Sequence, residues 1–164
     1  MPYLGKRLPY PNELPIDLDP VAFLAVNHES YRIHMDDQWK SMFPKGYPLE
    51  AITDRSILPQ RALVKVPALY NQLWCLNRLR EIFMSPGWEN DTCKDKQVHR
   101  CLNLVRQSMM CGGDSTLEPA LNLTNEEGEP ERSATGIDIL HVCRDWTQIR
   151  NVTEQRFLGR HHEI

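Results

Sequence analysis

Two five-residue stretches, NQLWC at 71–75 and QVHRC at 97–101, set an amide and a second long side chain directly ahead of a cysteine. On a helix, residues three apart share a face, so Asn71 with Trp74, and Gln97 with Arg100, each form a pair beside Cys75 and Cys101. Arg100 and Gln97 carry N–H donors that suit a carbonyl oxygen gaining negative charge. Asn71 is placed to orient a substrate, and Trp74 offers an apolar face on which a flexible chain can fold. Holding reacting ends together removes an entropic barrier, so such a pocket suits ring closure, including a pericyclic one.

Further along, HVCRDW at 141–146 supplies His141 as a candidate general base, with Asp145 to orient it and Arg144 to contact substrate. The plainer reading has Asp145 capping a helix and Arg144 pairing with a carboxylate. Glu118, in STLEP, is a second acid or base, or else a loop residue held by Arg106 or Arg144. His99 is an acid, base or substrate contact on one reading and a surface histidine on the other.

Five cysteines are an odd number, so at least one is unpaired in the monomer. The spacings His99-x-Cys101 and His141-x-Cys143, with Cys111 between, give only a weak zinc signal. Buried thiols or disulfides among Cys75, Cys101, Cys111 and Cys143 fit better. Three N-x-Thr sequons begin at Asn90, Asn122 and Asn151.

The elements that must position these groups begin with a repeat. WCLNRLREIFM at 74–84 is echoed by RCLNLVRQSMM at 100–110, with Cys75/Cys101, Leu76/Leu102, Asn77/Asn103, Arg80/Arg106 and Met84/Met110 identical. Two similar helices, about 67–84 and 95–110, are predicted to pack as a pair and bring Asn71, Trp74, Gln97 and Arg100 together. The first has an apolar stripe of Leu69, Leu73, Leu76, Leu79 and Phe83, the second one of Val98, Cys101, Leu102, Val105 and Met109. The polar GWENDTCKDK permits an antiparallel hairpin.

Residues 21–43 lack Gly and Pro and read as a helix with a break near Asn27. The punctuated stretch after Pro44 holds a short strand near Ala62–Val66. Residues 112–136 read as a long loop, GIDILHVC as a strand, and 144–160 as a final amphipathic helix on Trp146, Ile149 and Phe157. The fold class is α+β, mainly α: a Pro-rich arm at 1–20, where five of the twelve prolines fall, one domain at 21–160, and a tail at 161–164 containing His161 and His162.

A net charge of −3 leaves no basic footprint for nucleic acid. The longest apolar run, VAFLAV at 21–26, is far short of a membrane span, and the proline-laden start is unlike a signal peptide. A soluble chain is expected, cytoplasmic as written, with the secretory lumen as the alternative if the sequons are used.

The chain resembles the UstYa-like family of fungal mycotoxin-biosynthesis proteins, whose members carry two His-x-x-His-Cys motifs with a CLNxLR-like continuation. NQLWC and QVHRC stand at those places, RQSMMCGGDSTLEP resembles the family's RQxxMCxxDxTLEP, HVCRDWTQI its HxCRDxxxI, and DDQWKSMFPKGYPLE its usual lead-in. The similarity covers roughly residues 20–155. In the family the four histidines are thought to hold copper for oxidation of peptide- or polyketide-like precursors, imidazole being a good copper ligand. None of the four is present here: the matching residues are Asn71, Trp74, Gln97 and Arg100. Trp and Arg offer a metal no ordinary lone pair, and an amide binds copper poorly.

The resemblance with this departure implies a tailoring enzyme of secondary metabolism that needs no cofactor and closes a ring or dehydrates a polyketide- or peptide-derived small molecule without net oxidation. Two alternatives stand beside it. One is a copper-dependent oxidase using other ligands such as His99 and His141; the other is a non-catalytic partner of an active family member, in a homo- or hetero-oligomer.

Overall fold

The computed structural model describes residues 14, 16–47, 67–124 and 127–159. The expected strand near Ala62–Val66, the tail and most of the N-terminal arm lie outside them. The described architecture is α+β and mainly α. Strand β1 (Pro20–Ala25) is followed by α1 (Asp36–Ser41), the paired helices α2 (Ala68–Phe83) and α3 (Thr92–Gly112), and strands β2 (Leu121–Thr124), β3 (Pro130–Ser133) and β4 (Ile139–Arg144). Helix α4 (Trp146–Gly159) closes the order.

The echo produces the pair it predicts. Cys75 and Cys101 form a disulfide with their Cα atoms 4.9 Å apart, Arg78 Nε donates to Gln97 Oε1 at 2.8 Å, and Lys94 Nζ to Ser85 Oγ at 2.7 Å. As the α2 number rises the α3 number falls, so the helices run antiparallel. Helix α3 begins at Thr92 rather than near Asp95, because Asp91 accepts from the amides of Cys93 and Lys94 and caps it. It stops at Gly113, which takes the left-handed conformation (φ 55°) that glycine accepts without cost.

The buried stripe differs from the predicted one. Cys75, Leu79, Ile82, Val98 and Cys101 form the core between the helices, flanked by Trp74, Trp88, Leu104 and Val105. Leu76, Phe83, Leu102 and Met109 are exposed. The disulfide decides this: it turns both cysteines to the seam, which rotates the residue after each cysteine out of it.

Residues 21–43 are not one helix. Pro20–Ala25 pairs antiparallel with Ile139–Arg144, with Phe23 opposite His141 and Pro20 opposite Arg144. A short apolar run fits strand or helix equally by periodicity, and the distant β4 is the partner that settles it. The predicted long loop likewise contains an antiparallel pair, β2 with β3. Its two strands are too short and too polar to have announced themselves.

A buried arginine ties α1 to α2. Arg80 pairs with Asp36 at 2.7 Å, donates to Asn77 Oδ1 at 2.9 Å and to the Ile33 carbonyl, and lies over the Trp39 ring, 5.3 Å from its centroid. A second core of Phe43, Tyr47 and Tyr70 gathers Leu69, Leu73, Trp74, Ile149 and Phe157, joining the 43–47 turn, α2 and α4. Gly46 (φ 74°) makes that close approach, since a Cβ there would lie 3.3 Å from Phe157 Cβ. Trp146, expected on the apolar side of α4, is exposed.

Candidate functional site

The antiparallel register separates what the sequence pairs. Asn71 lies one turn before Cys75 and Gln97 one turn before Cys101, in opposite directions from the disulfide. The rise of 1.5 Å per residue puts about 12 Å of hairpin between them. Trp74 and Arg100, each next to its cysteine, sit at nearly the same level. Thus the four side chains do not converge on a point, because one motif is read up the hairpin and the other down it.

Their surroundings differ too. Trp74 is half-buried and packs against both cores, so it works as a structural wedge with only part of its ring free. Asn71 is half-buried. The Gln97 carbonyl is occupied by Arg78, whose other arm holds Glu81 at 3.0 Å while Asn77 donates to the same carboxylate at 2.9 Å. Arg100 is exposed, with no hydrogen bond or ion pair among the described residues. His99 is also exposed and, among the described residues, meets only Asn103, 3.2 Å from its Nε2.

An acid–base pair is assembled elsewhere, just beyond the C-terminal end of α3. His141 Nδ1 lies 2.7 Å from Asp114 Oδ2; the imidazole side chain is 13% exposed and the carboxylate 54%. The amide of Thr116 donates to Asp114 Oδ1 at 2.9 Å, so both carboxylate oxygens are engaged. That amide, the Thr116 hydroxyl and then His141 hold the Asp114 carboxyl down at about 2. Asp114 therefore stays ionised at any working pH, and the imidazole places its Nδ1 proton toward it. Nε2 is left as the basic atom.

Asp145 does not orient His141, as the sequence had suggested. It accepts from the amide and hydroxyl of Thr147, at 2.9 and 2.5 Å, and from Gln148, and so caps α4. These hydrogen bonds, the one from the Thr147 side chain first, keep its carboxyl below the ordinary value. Arg144 is exposed opposite Pro20. Glu118 is exposed beside Gly136, whose added Cβ would lie 3.7 Å from its carboxylate, and bonds neither Arg106 nor Arg144. Arg106 instead reaches Met110 Sδ at 3.2 Å.

Asp114 is the functional candidate that sequence reasoning passed over. Its signal was present in GGDST: a helix-ending glycine pair, then an Asp whose side chain can take the amide two residues on.

The candidates thus fall into two places. From Gln97 to the Gly112 end of α3 is about 22 Å of helix, and from Arg100 about 18 Å. Gln97 and Arg100 do not share a reacting centre with His141.

Comparison with known proteins agrees with the motif reading. A family model described as "Mycotoxin biosynthesis protein UstYa" matches residues 26–156. The chain belongs to the UstYa family. Among curated UstYa relatives, "Oxidase ustYa" of Aspergillus flavus is 30% identical over 106 residues, covering 64% of this chain and 46% of the relative. "UstYa family oxidase phomYb" of Diaporthe leptostromiformis is 29% identical over 126 residues, covering 70% and 47%. The chain spans about half the length of the curated relatives it matches. No solved structure matches it.

The residues at the places where the family resemblance implies copper ligands do not fit that metal. Arg100 and Trp74 have no lone pair to give, the Gln97 carbonyl is taken, and Asn71 lies a hairpin's stretch away. His99 cannot join His141 on one ion, since about 20 Å of helix runs from His99 to the end of α3. Among the described residues no three His, Cys, Asp or Glu side chains are grouped to hold a metal, the weak zinc candidates included. Cys93 and Cys111 are exposed thiols and Cys143 is a half-buried one. No helix of the described residues is long and apolar enough to cross a membrane.

Proposed function

We propose that this chain is a tailoring enzyme of fungal secondary metabolism that closes a ring in, or removes water from, a polyketide- or peptide-derived intermediate without net oxidation. The observation that carries the reading is the Asp114–His141 pair. With Nδ1 donating to a carboxylate that is ionised near neutral pH, Nε2 can take a proton from an acidic carbon or a hydroxyl of the substrate. The carboxylate then stabilises the imidazolium until the proton returns to the departing oxygen or to the newly formed ring. Arg100, without a partner among the described residues, is assigned to substrate binding rather than to the reacting atoms, and Trp74 and Asn71 line the same hairpin.

The test compares pathway metabolites from a fungal host carrying the wild-type chain, His141→Gln, Asp114→Asn or Arg100→Ala. Loss of a positioned base costs roughly a hundredfold or more in turnover, so His141→Gln should let the precursor accumulate and Asp114→Asn should slow its conversion. Arg100→Ala should raise KM and leave kcat nearly unchanged. The product should match its precursor in mass or be one water lighter. A product two hydrogens lighter or one oxygen heavier, or normal conversion by His141→Gln, refutes the proposal.

The names of both relatives, each called an oxidase, favour a second reading, an oxidase, with copper the metal that the family resemblance implies. Stoichiometric copper uptake together with chelator-sensitive formation of an oxidised product would establish it.

A further inference from the structure

The three sequons are not used by the reading above, and their placement is informative. Nine asparagines and fourteen serines and threonines among 164 residues would by chance give fewer than one such triplet; the chain has three, all with threonine. Asn90 lies in the 3-10 turn at the tip of the α2–α3 hairpin, Asn122 on β2 and Asn151 on α4, and all three are exposed. None belongs to either core or to the Asp114–His141 pair. An independent observation points to the same compartment: the hairpin seam is built around a disulfide between two cysteines each 1% exposed. Structural disulfides form where the surroundings are oxidising.

The acceptor threonines are not equivalent. Thr92 and Thr124 are exposed. Thr153 is 2% exposed, and its hydroxyl donates to the Ile149 carbonyl at 2.7 Å within α4. A transferase that must engage the sequon hydroxyl finds it only before α4 packs.

We propose that this chain folds in the lumen of the secretory pathway and carries N-linked glycans on Asn90 and Asn122, with Asn151 modified only on chains met before α4 closes. In the transfer step the Asn side-chain amide nitrogen bonds the anomeric carbon of a polyprenyl-diphosphate-linked oligosaccharide. The carbon–oxygen bond to the diphosphate breaks, the polyprenyl diphosphate leaves, and the amide proton passes to a transferase carboxylate. In forming the disulfide, the two thiols give two protons and two electrons to a disulfide-bearing oxidoreductase.

The test is mass spectrometry of unreduced protein isolated from its own cells, before and after an amidase that removes N-glycans and leaves aspartate at each used site. The mass should fall by whole glycans, the peptides holding positions 90 and 122 should read aspartate, and Cys75 and Cys101 peptides should be linked. Occupancy at Asn151 should be lower than at the other two, and an Asn90→Gln/Asn122→Gln variant should lose most of the shift. Asparagine at both 90 and 122 in the treated protein overturns the proposal. Equal occupancy at all three sites overturns the folding-order part of it.

Discussion

Opening the Cys75–Cys101 bridge is expected to cost this protein about 3.5 kcal/mol. The bridge closes a loop with a sequence separation of 26, and the chain-entropy relation for a loop of that size gives about 3.5 kcal/mol at 25 °C. In a chain of this length each kcal/mol moves the unfolding midpoint by about 2–4 °C, so reduction should lower Tm by about 10 °C. Little is lost from packing, because the reduced thiols still fill the seam as small hydrophobes. The measurement is thermal unfolding by circular dichroism of oxidised and reduced wild type, with Cys75→Ala/Cys101→Ala as the reductant-insensitive control. Intact mass confirms the bridge before and its loss after reduction. A midpoint that moves by less than about 2 °C while the mass shows the bridge opening would refute the argument, since the unfolded ensemble would then be no more restricted with the bridge than without it.

Arg80→Ala should destabilise the fold by about 3 kcal/mol, because the buried guanidinium serves Asp36, Asn77 and the Ile33 carbonyl together. Arg80→Lys should recover less than half of that, having no planar fork; denaturant unfolding of both variants checks it. Asp114→Asn should be less stable than wild type near neutral pH. The Asp114 pKa falls from 3.8 to about 2 on folding, so its contribution is complete above 3.8 and lost as pH falls to about 2. The two stability curves should converge across that window, and a gap persisting at lower pH would show that the Asp114 charge is not its source.

The sequence by itself determined the pairing of α2 with α3, the family, and the unsuitability of Asn71, Trp74, Gln97 and Arg100 as copper ligands. These follow from residue identity and short-range spacing, which a chain displays without folding. It also supplied His141, and the sentence-long motif containing Asp114, but paired the histidine with its sequence neighbour Asp145. On a strand, residues four apart are drawn away from each other along the chain, and Asp145 finds nearer work in capping α4. Only the tertiary structure brought Asp114 to His141 across 27 residues. It also turned residues 20–25 into a strand by laying them against β4. The disulfide-locked antiparallel hairpin, finally, drew Asn71 and Gln97 apart. Direction of packing is a property of two elements together, and no repeat within one chain states which way its copies will face.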